Sequence, residues 1–408
     1  MLTVFFAAPY LTPSAARMVT ATAALPGVRL GVVTQDAQEN APREVQRAIA
    51  QHWRVDDVTD LGQLSGAVDA LTQRLGRPDR LFGAYEQLQV PLAQVRERIG
   101  LPGLPVEAAV NFRDKARMKE VLRAAGVPCA RHALVTSAEG AMAFVEEVGY
   151  PVVVKPPAGA GSVATFRVER HDQLARALAA ASPGEGRPAL LEEFVVGDEH
   201  SFETMSVDGR AAWHSITRYY PTPLEATRQP WIQWCVVLPR EVDDARYDDI
   251  RRVGAKALDA LGMTSGLTHM EWFRRRDGSL AVSEVAARPP GAQITTLVSR
   301  STDSDFVRAW AELMVFNTFA PPERKYAAGV AFLRAQGAAG GVIRAVHGVD
   351  RLSDATRALV TDAQMPFLGA GPRPSYEGDG WIVVRHPETA AVERALSEII
   401  STVRVELA

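Results

Sequence analysis

Tyr150-Pro151-Val152-Val153-Val154-Lys155-Pro156-Pro157-Ala158-Gly159-Ala160-Gly161-Ser162 joins a short β-branched run to one lysine and a glycine-rich loop. The valines, bounded by prolines, predict a strand interior, so Lys155 stands at the end of a rigid element. Gly159 and Gly161 let backbone N–H groups converge on an anion without Cβ interference, and the Ser162 hydroxyl adds a donor. The lysine supplies a point charge, and the whole reads as a phosphate grip. It is not a Walker loop, because the lysine precedes the glycines and no Gly-Lys-Ser/Thr occurs there. Alone, the motif more often describes a plain hairpin, and its meaning depends on its surroundings.

Upstream, elements alternate: strand Thr3–Ala7, helix Pro13–Ala24, strand Arg29–Thr34, helix Arg43–Ala50, an apolar piece at Trp53–Val55, helix Leu61–Leu75, strand Arg80–Ala84 and helix Val90–Ile99. Such alternation predicts a parallel sheet flanked by helices. Ala8-Pro9-Tyr10 stands where a dinucleotide fold would carry its glycines, which disfavours that site. Gly100-Leu101-Pro102-Gly103-Leu104-Pro105 marks a boundary. Beyond it, Asn111–Ala125 keeps helical spacing and stops at Gly126 and Pro128. Lys115 falls in the first turn, where the helix dipole disfavours a cation unless an anion lies near.

Downstream, Leu191-Glu192-Glu193-Phe194-Val195-Val196-Gly197 suits a hinge that presents backbone to a flat ligand, with Glu199 following on the next strand. Thr268–Phe273 and Leu280–Gly291 predict a hairpin closed at Arg275-Arg276-Asp277-Gly278. With period two, His269, Glu271 and Phe273 share one face, and Glu284, Ala286 and Arg288 share a face of the partner. Two carboxylates opposite each other are destabilising unless a cation lies between them, so Glu271 and Glu284 are candidate ligands for Mg²⁺. The aromatic-rich segment Trp213–Pro239 is a candidate substrate wall, with Arg218 as a carboxylate anchor. The chain from Phe306 onward, including a turn at Gly337–Gly341, shows no motif of its own and predicts a smaller α+β unit.

The chain has 408 residues, room for about two or three domains. A net charge of -3 gives no long-range pull toward nucleic acid or a membrane surface, so a small-molecule partner is expected. Cys129 and Cys235 are the only cysteines and lack metal-ligand spacing, which predicts a reducing compartment. With no signal-like flank at the N-terminus and no bilayer-length apolar run, the expectation is cytoplasmic.

Together these motifs resemble the ATP-grasp superfamily, and within it the carboxylate–amine ligases of the L-amino acid ligase and carnosine-synthase-like kind. The resemblance rests on the order of Asp114-Lys115, Pro151–Lys155 with its glycine loop, Glu192–Val195 with Glu199, and Glu271 ahead of Glu284-x-x-x-Arg288. It covers residues 1–310 well and the remainder loosely. It implies an N-terminal parallel α/β domain (1–105), a central ATP-grasp fold of two α+β subdomains (106–310) and a small α+β lid-like domain (311–408). It implies ATP and Mg²⁺ as cofactors. Lys115 and Lys155 would contact the phosphates, with Gly159, Gly161 and Ser162 folded over them. The backbone of Glu193 and Val195 would hold adenine, Glu199 the ribose, and Glu271 and Glu284 the metal. Arg288 and Lys155 would be catalytic, and Arg218 and His269 would serve the substrate. The implied reaction activates a small carboxylate, an amino acid, as an acyl phosphate and couples it to an amine, releasing ADP and phosphate. A biotin-carboxylase-like or purine-pathway member, and a nucleotide-binding protein without turnover, are the alternatives. The chain departs from the family at Ala286, where a metal-binding Asn is usual. The partners are then a small carboxylate and an amine, with no nucleic acid and no membrane; the oligomeric state stays open, a homodimer among the options.

Overall fold

The computed structural model describes residues 1–157, 165–229, 231–336, 341–373 and 375–408. The first sheet contains β1 (Leu2–Ala7), β2 (Val28–Thr34), β3 (Gln51–Arg54) and β4 (Arg80–Phe82), in the order β3-β2-β1-β4 and wholly parallel. Its central strand is apolar without alternation because both faces are covered. Val4 and Phe6 pack with Met18, Val19 and Leu30, whereas Phe5 and Ala7 pack with Leu64, Val68 and Leu71. Helices Pro13–Ala23 and Leu61–Leu75 start where Thr12 and Asp60 accept hydrogen bonds from the backbone N–H of Ala15 and Gln63, satisfying first-turn donors. The piece predicted only as apolar at Trp53–Val55 overlaps the edge strand β3, which runs over Gln51–Arg54.

The second sheet holds β5 (His132–Val135), β6 (Val152–Lys155), β7 (Phe166–Val168) and β8 (Ala189–Glu193), in the order β5-β8-β6-β7, with antiparallel pairing. Val152 and Val154 turn inward onto Phe144, Val145, Leu174 and Leu178 of the helices Ala138–Val148 and His171–Ala181. That packing fixes the strand whose last residue is Lys155.

The third sheet has eight antiparallel strands. It begins with β9 (Gly197–Val207), β10 (Arg210–Tyr220), β11 (Trp234–Leu238), β12 (Gly266–Arg275), β13 (Leu280–Ala286) and β14 (Ala327–Leu333), ordered β13-β12-β9-β10-β11-β14. The strands Gly380–His386 and Val360–Gln364 complete it. The sheet therefore runs across residue 310, where the sequence places a boundary, because β14 pairs with β11 over the register Trp234↔Phe332 to Leu238↔Ala328. Every residue of β14 is buried, so this strand had to lie inside a larger sheet. Among the described residues, Ala335–Gln336, Ile343–His347 and Arg404–Leu407 form a separate small sheet. The Gly337–Gly341 turn lies almost wholly outside the described residues. No helix among the described residues is long and apolar enough to cross a membrane.

Candidate active site

Two lysines, Lys155 and Lys119, meet one glutamate, Glu192, where the second and third sheets approach each other. Lys155 arrives at the end of β6 and Glu192 on the neighbouring strand β8. Lys115 and Lys119 lie one turn apart on the helix Lys115–Ala124, whose N-terminus is capped by the Asp114 carboxylate. Lys155 Nζ is 2.9 Å from one Glu192 oxygen and Lys119 Nζ is 3.2 Å from the other. Lys119 also donates to the carbonyl of Ser283 at 2.7 Å. It is fully buried, and burial pushes its pKa below the ordinary lysine value against the pull of Glu192. Burial acts on Lys155 in the same direction, but Glu192, Glu284 and Glu271 outweigh it and leave the pKa raised. Glu192 is held below the usual carboxylate range by the two lysines despite its burial.

The hairpin supplies the second cluster. Arg275 N–H donates to Ser279 O and Gly278, at a positive φ of 83°, closes the turn. In the resulting register Glu271 lies directly opposite Glu284. Lys115 Nζ stands 2.9 Å from Glu284, and His269 Nε2 3.7 Å from Glu271. Burial and Glu271 raise the pKa of Glu284 against Lys115. Glu271 is lowered, since His269, Lys115 and Lys155 overcome its burial. Behind it, His269 Nδ1 lies 2.8 Å from the fully buried Glu203, which also accepts from the hydroxyls of Ser201 and Thr217. Burial would lower the His269 pKa, yet Glu203 and Glu271 bring it up to about 9. Ala286 pairs with His269 across the hairpin and, having no donor atom, leaves that position without a ligand.

Most of these groups face one cavity of about 280 Å³; the fully buried Lys119 and Glu203 do not line it. Lys115, Lys155, Glu193, Val195, Glu199, His269, Glu271, Glu284 and Arg288 all line it. Glu193 is fixed by Arg131 and Arg275 at 2.6 and 2.9 Å, which holds the 193–197 hinge against the hairpin. Burial and the nearby Glu271 raise the Glu199 pKa well above the ordinary value. Gly159, Gly161 and Ser162 lie outside the described residues.

Arg218 is the exception. It does not reach the cavity: its guanidinium donates to the Tyr247 hydroxyl at 2.7 Å and to Glu393 at 3.0 Å. Alternation along β10 turns Arg218 away and puts Tyr219 into the cavity. Trp234 from the aromatic segment lines it too, whereas Trp231 is exposed. Sequence reasoning missed Lys119, whose spacing from Lys115 was a usable signal, and Tyr376, which enters from a stretch without periodicity. The Trp234 indole N–H donates to the Tyr376 carbonyl at 2.6 Å and seats that stretch on the cavity.

Comparisons with known proteins agree with this architecture. The ATP-grasp domain family matches residues 120–306. The chain is 25% identical over 291 residues to the L-arginine-specific L-amino acid ligase of Bacillus subtilis, covering 69% of this chain and 68% of that protein. It is 25% identical over 283 residues to the alanine–anticapsin ligase of Bacillus subtilis (strain 168), covering 64% of this chain and 57% of that one. The latter match spans little more than half of the relative. Among solved structures, an L-amino acid ligase from Bacillus licheniformis superposes with a TM-score of 0.79 at 20% identity, over 99% of this chain and 98% of that one. The N5-carboxyaminoimidazole ribonucleotide synthetase of Thermotoga maritima reaches 0.69 at 17% identity, over 100% and 99%. Residues 120–306 thus carry the match to the ATP-grasp domain family, and the chain as a whole has the fold of the Bacillus licheniformis L-amino acid ligase.

Proposed function

We propose that the protein is an ATP-dependent carboxylate–amine ligase that activates a small carboxylate, an amino acid, as its acyl phosphate and joins it to an amine, releasing ADP and phosphate. The observation that carries this reading is the convergence of Lys115, Lys155, Glu271, Glu284 and Arg288 on a single cavity beside a backbone hinge. The named activities of the two Bacillus relatives support the same class.

Each group then has a task its chemistry allows. Lys115 and Lys155 meet phosphate oxygens as compact point charges on rigid elements. The backbone at Glu193 and Val195 binds the edge of adenine, and Glu199 the ribose hydroxyls. The donor set fits Mg²⁺: Glu271 and Glu284 offer hard oxygens opposite each other. Among the described residues no group of three or more His, Cys, Asp or Glu makes a closed cage. Two carboxylates completed by nucleotide oxygens and water is how Mg²⁺ is usually held. When bound, the ion neutralises charge on the phosphates. Arg288 presents a planar fork to the transferring phosphoryl and the acyl phosphate, where charge spreads over several oxygens.

The test is ADP release with a panel of amino acids and amines, with the product identified by mass. Amide product together with ADP is expected; nucleotide binding without ADP release from any pair would refute the reading.

A further inference from the structure

Behind Arg288, on the side away from the substrate cavity, stands a carboxylate that the proposed reaction does not use. Glu86 opens the short helical turn Glu86–Leu88 that follows β4 of the N-terminal sheet. It is 4% exposed and does not line the cavity. One of its oxygens accepts from Arg113 Nη1 at 2.9 Å and the other from Arg288 Nε at 3.1 Å. Arg288 Nη1 donates to the carbonyl of Pro289 at 3.0 Å. Two of its three nitrogens are thus tied to protein, and among the described residues no acceptor is recorded for Nη2.

We propose that Glu86 is a positioning residue: from the N-terminal sheet it clamps the Arg288 guanidinium so that its outer edge meets the transferring phosphoryl group. The inference rests on the catalytic reading of Arg288. Three features carry it. The contact is a charge-assisted hydrogen bond made where water is scarce, so it is stronger than a surface pair. It joins residues 202 apart in sequence, so a side chain that follows the N-terminal sheet fixes an arginine that follows the hairpin. An arginine has several rotatable bonds, and a donor aimed in advance stabilises a transition state more than one that must be ordered during reaction. Glu86→Gln keeps the shape and one acceptor oxygen but loses the charge shared by two arginines.

The experiment measures kcat, KM and ATP affinity for E86Q, E86D, R288K and the double variant E86Q/R288K, using the best amino acid pair from the ADP-release panel. The expectation is a 10- to 100-fold fall in kcat for E86Q with ATP affinity changed less than about twofold. E86D should recover part of that loss, and E86Q/R288K should lose little beyond R288K alone, since both act through one guanidinium. Normal kcat in R288K would overturn the catalytic reading of Arg288 and this proposal with it. A low kcat in R288K with normal kcat in E86Q would overturn the positioning role alone. Additive losses in the double variant, or misfolding of both E86Q and E86D, would assign Glu86 to the fold and equally overturn it.

Discussion

Glu192→Gln should destabilise the protein far more than an ordinary surface change. The carboxylate lies 3.2 Å from Lys119 Nζ and 2.9 Å from Lys155 Nζ. The three residues are 4%, 0% and 9% exposed, in the order Glu192, Lys119, Lys155. Glutamine keeps the volume and leaves two buried cations without their shared anion. Removing one partner of a buried pair costs about 3–5 kcal/mol, a large share of the roughly 5–15 kcal/mol that keeps a protein folded. Urea unfolding of E192Q against the parent reads that loss directly. The deficit should also depend on pH. Without Glu192 the Lys119 pKa sinks further, so the unfolded chain holds a proton that the folded chain releases. Stability then rises with pH up to the ordinary lysine range, near about 10.4, and the gap to the parent narrows. MgATP should restore more of the midpoint in E192Q than it adds to the parent, because the phosphates become the missing anion. A loss under about 1 kcal/mol, unchanged between pH 7 and 9 (roughly the span tested), would refute the shared-anion reading.

Lys155→Ala should weaken ATP binding by about 1.5–3 kcal/mol in calorimetry, the scale of a lost charged hydrogen bond; unchanged affinity would end the phosphate-grip reading. Glu284→Gln should abolish ADP formation with the fold intact, and full activity would withdraw Glu284 as a metal ligand. His200 stacks on Trp272 at 4.5 Å, and burial together with Arg218 lowers its pKa from 6.5 to about 4. The unfolded state therefore binds its proton first as pH falls. Up to about 3 kcal/mol of stability, present above pH 6.5, is lost between pH 6.5 and 4. His200→Phe should flatten that slope in pH-dependent urea unfolding; an unchanged slope would refute the assignment.

What the sequence disclosed follows from how each residue's surroundings are determined. The parallel N-terminal sheet was legible because β1 and β2 carry apolar runs covered by helices close by in sequence. The Glu271–Glu284 pairing was legible because Asp277-Gly278 sets the hairpin register locally. Arg218 was misread for the opposite reason: which face of β10 looks into the cavity depends on β9 and β11, not on β10 itself. Lys119 was passed over because a lysine reads as solvated unless its counter-ion is known, and Glu192 comes from a strand 73 residues away. The continuity of the large sheet across residue 310 depends on β14 reaching β11, a pairing between segments roughly 90 residues apart that no local pattern encodes.

The same charges explain how a cavity so rich in carboxylates folds before any substrate arrives. Glu284 is met by Lys115, Glu192 by Lys119 and Lys155, and Glu271 by His269, so these three acids have cationic partners within the chain. Under the proposed function these pairs are exchanged rather than simply broken. Lys115 would give up Glu284 for a phosphate oxygen and Glu284 would give up Lys115 for the metal ion, so neither side would be left bare. Metal-free ATP permits only half of that exchange. It draws Lys115 away and leaves Glu284 facing Glu271 with less positive charge nearby, a like-charge contact that costs free energy. Under the proposed function the affinities for metal and nucleotide are coupled through one ion pair, and such a coupling is reciprocal by thermodynamic necessity.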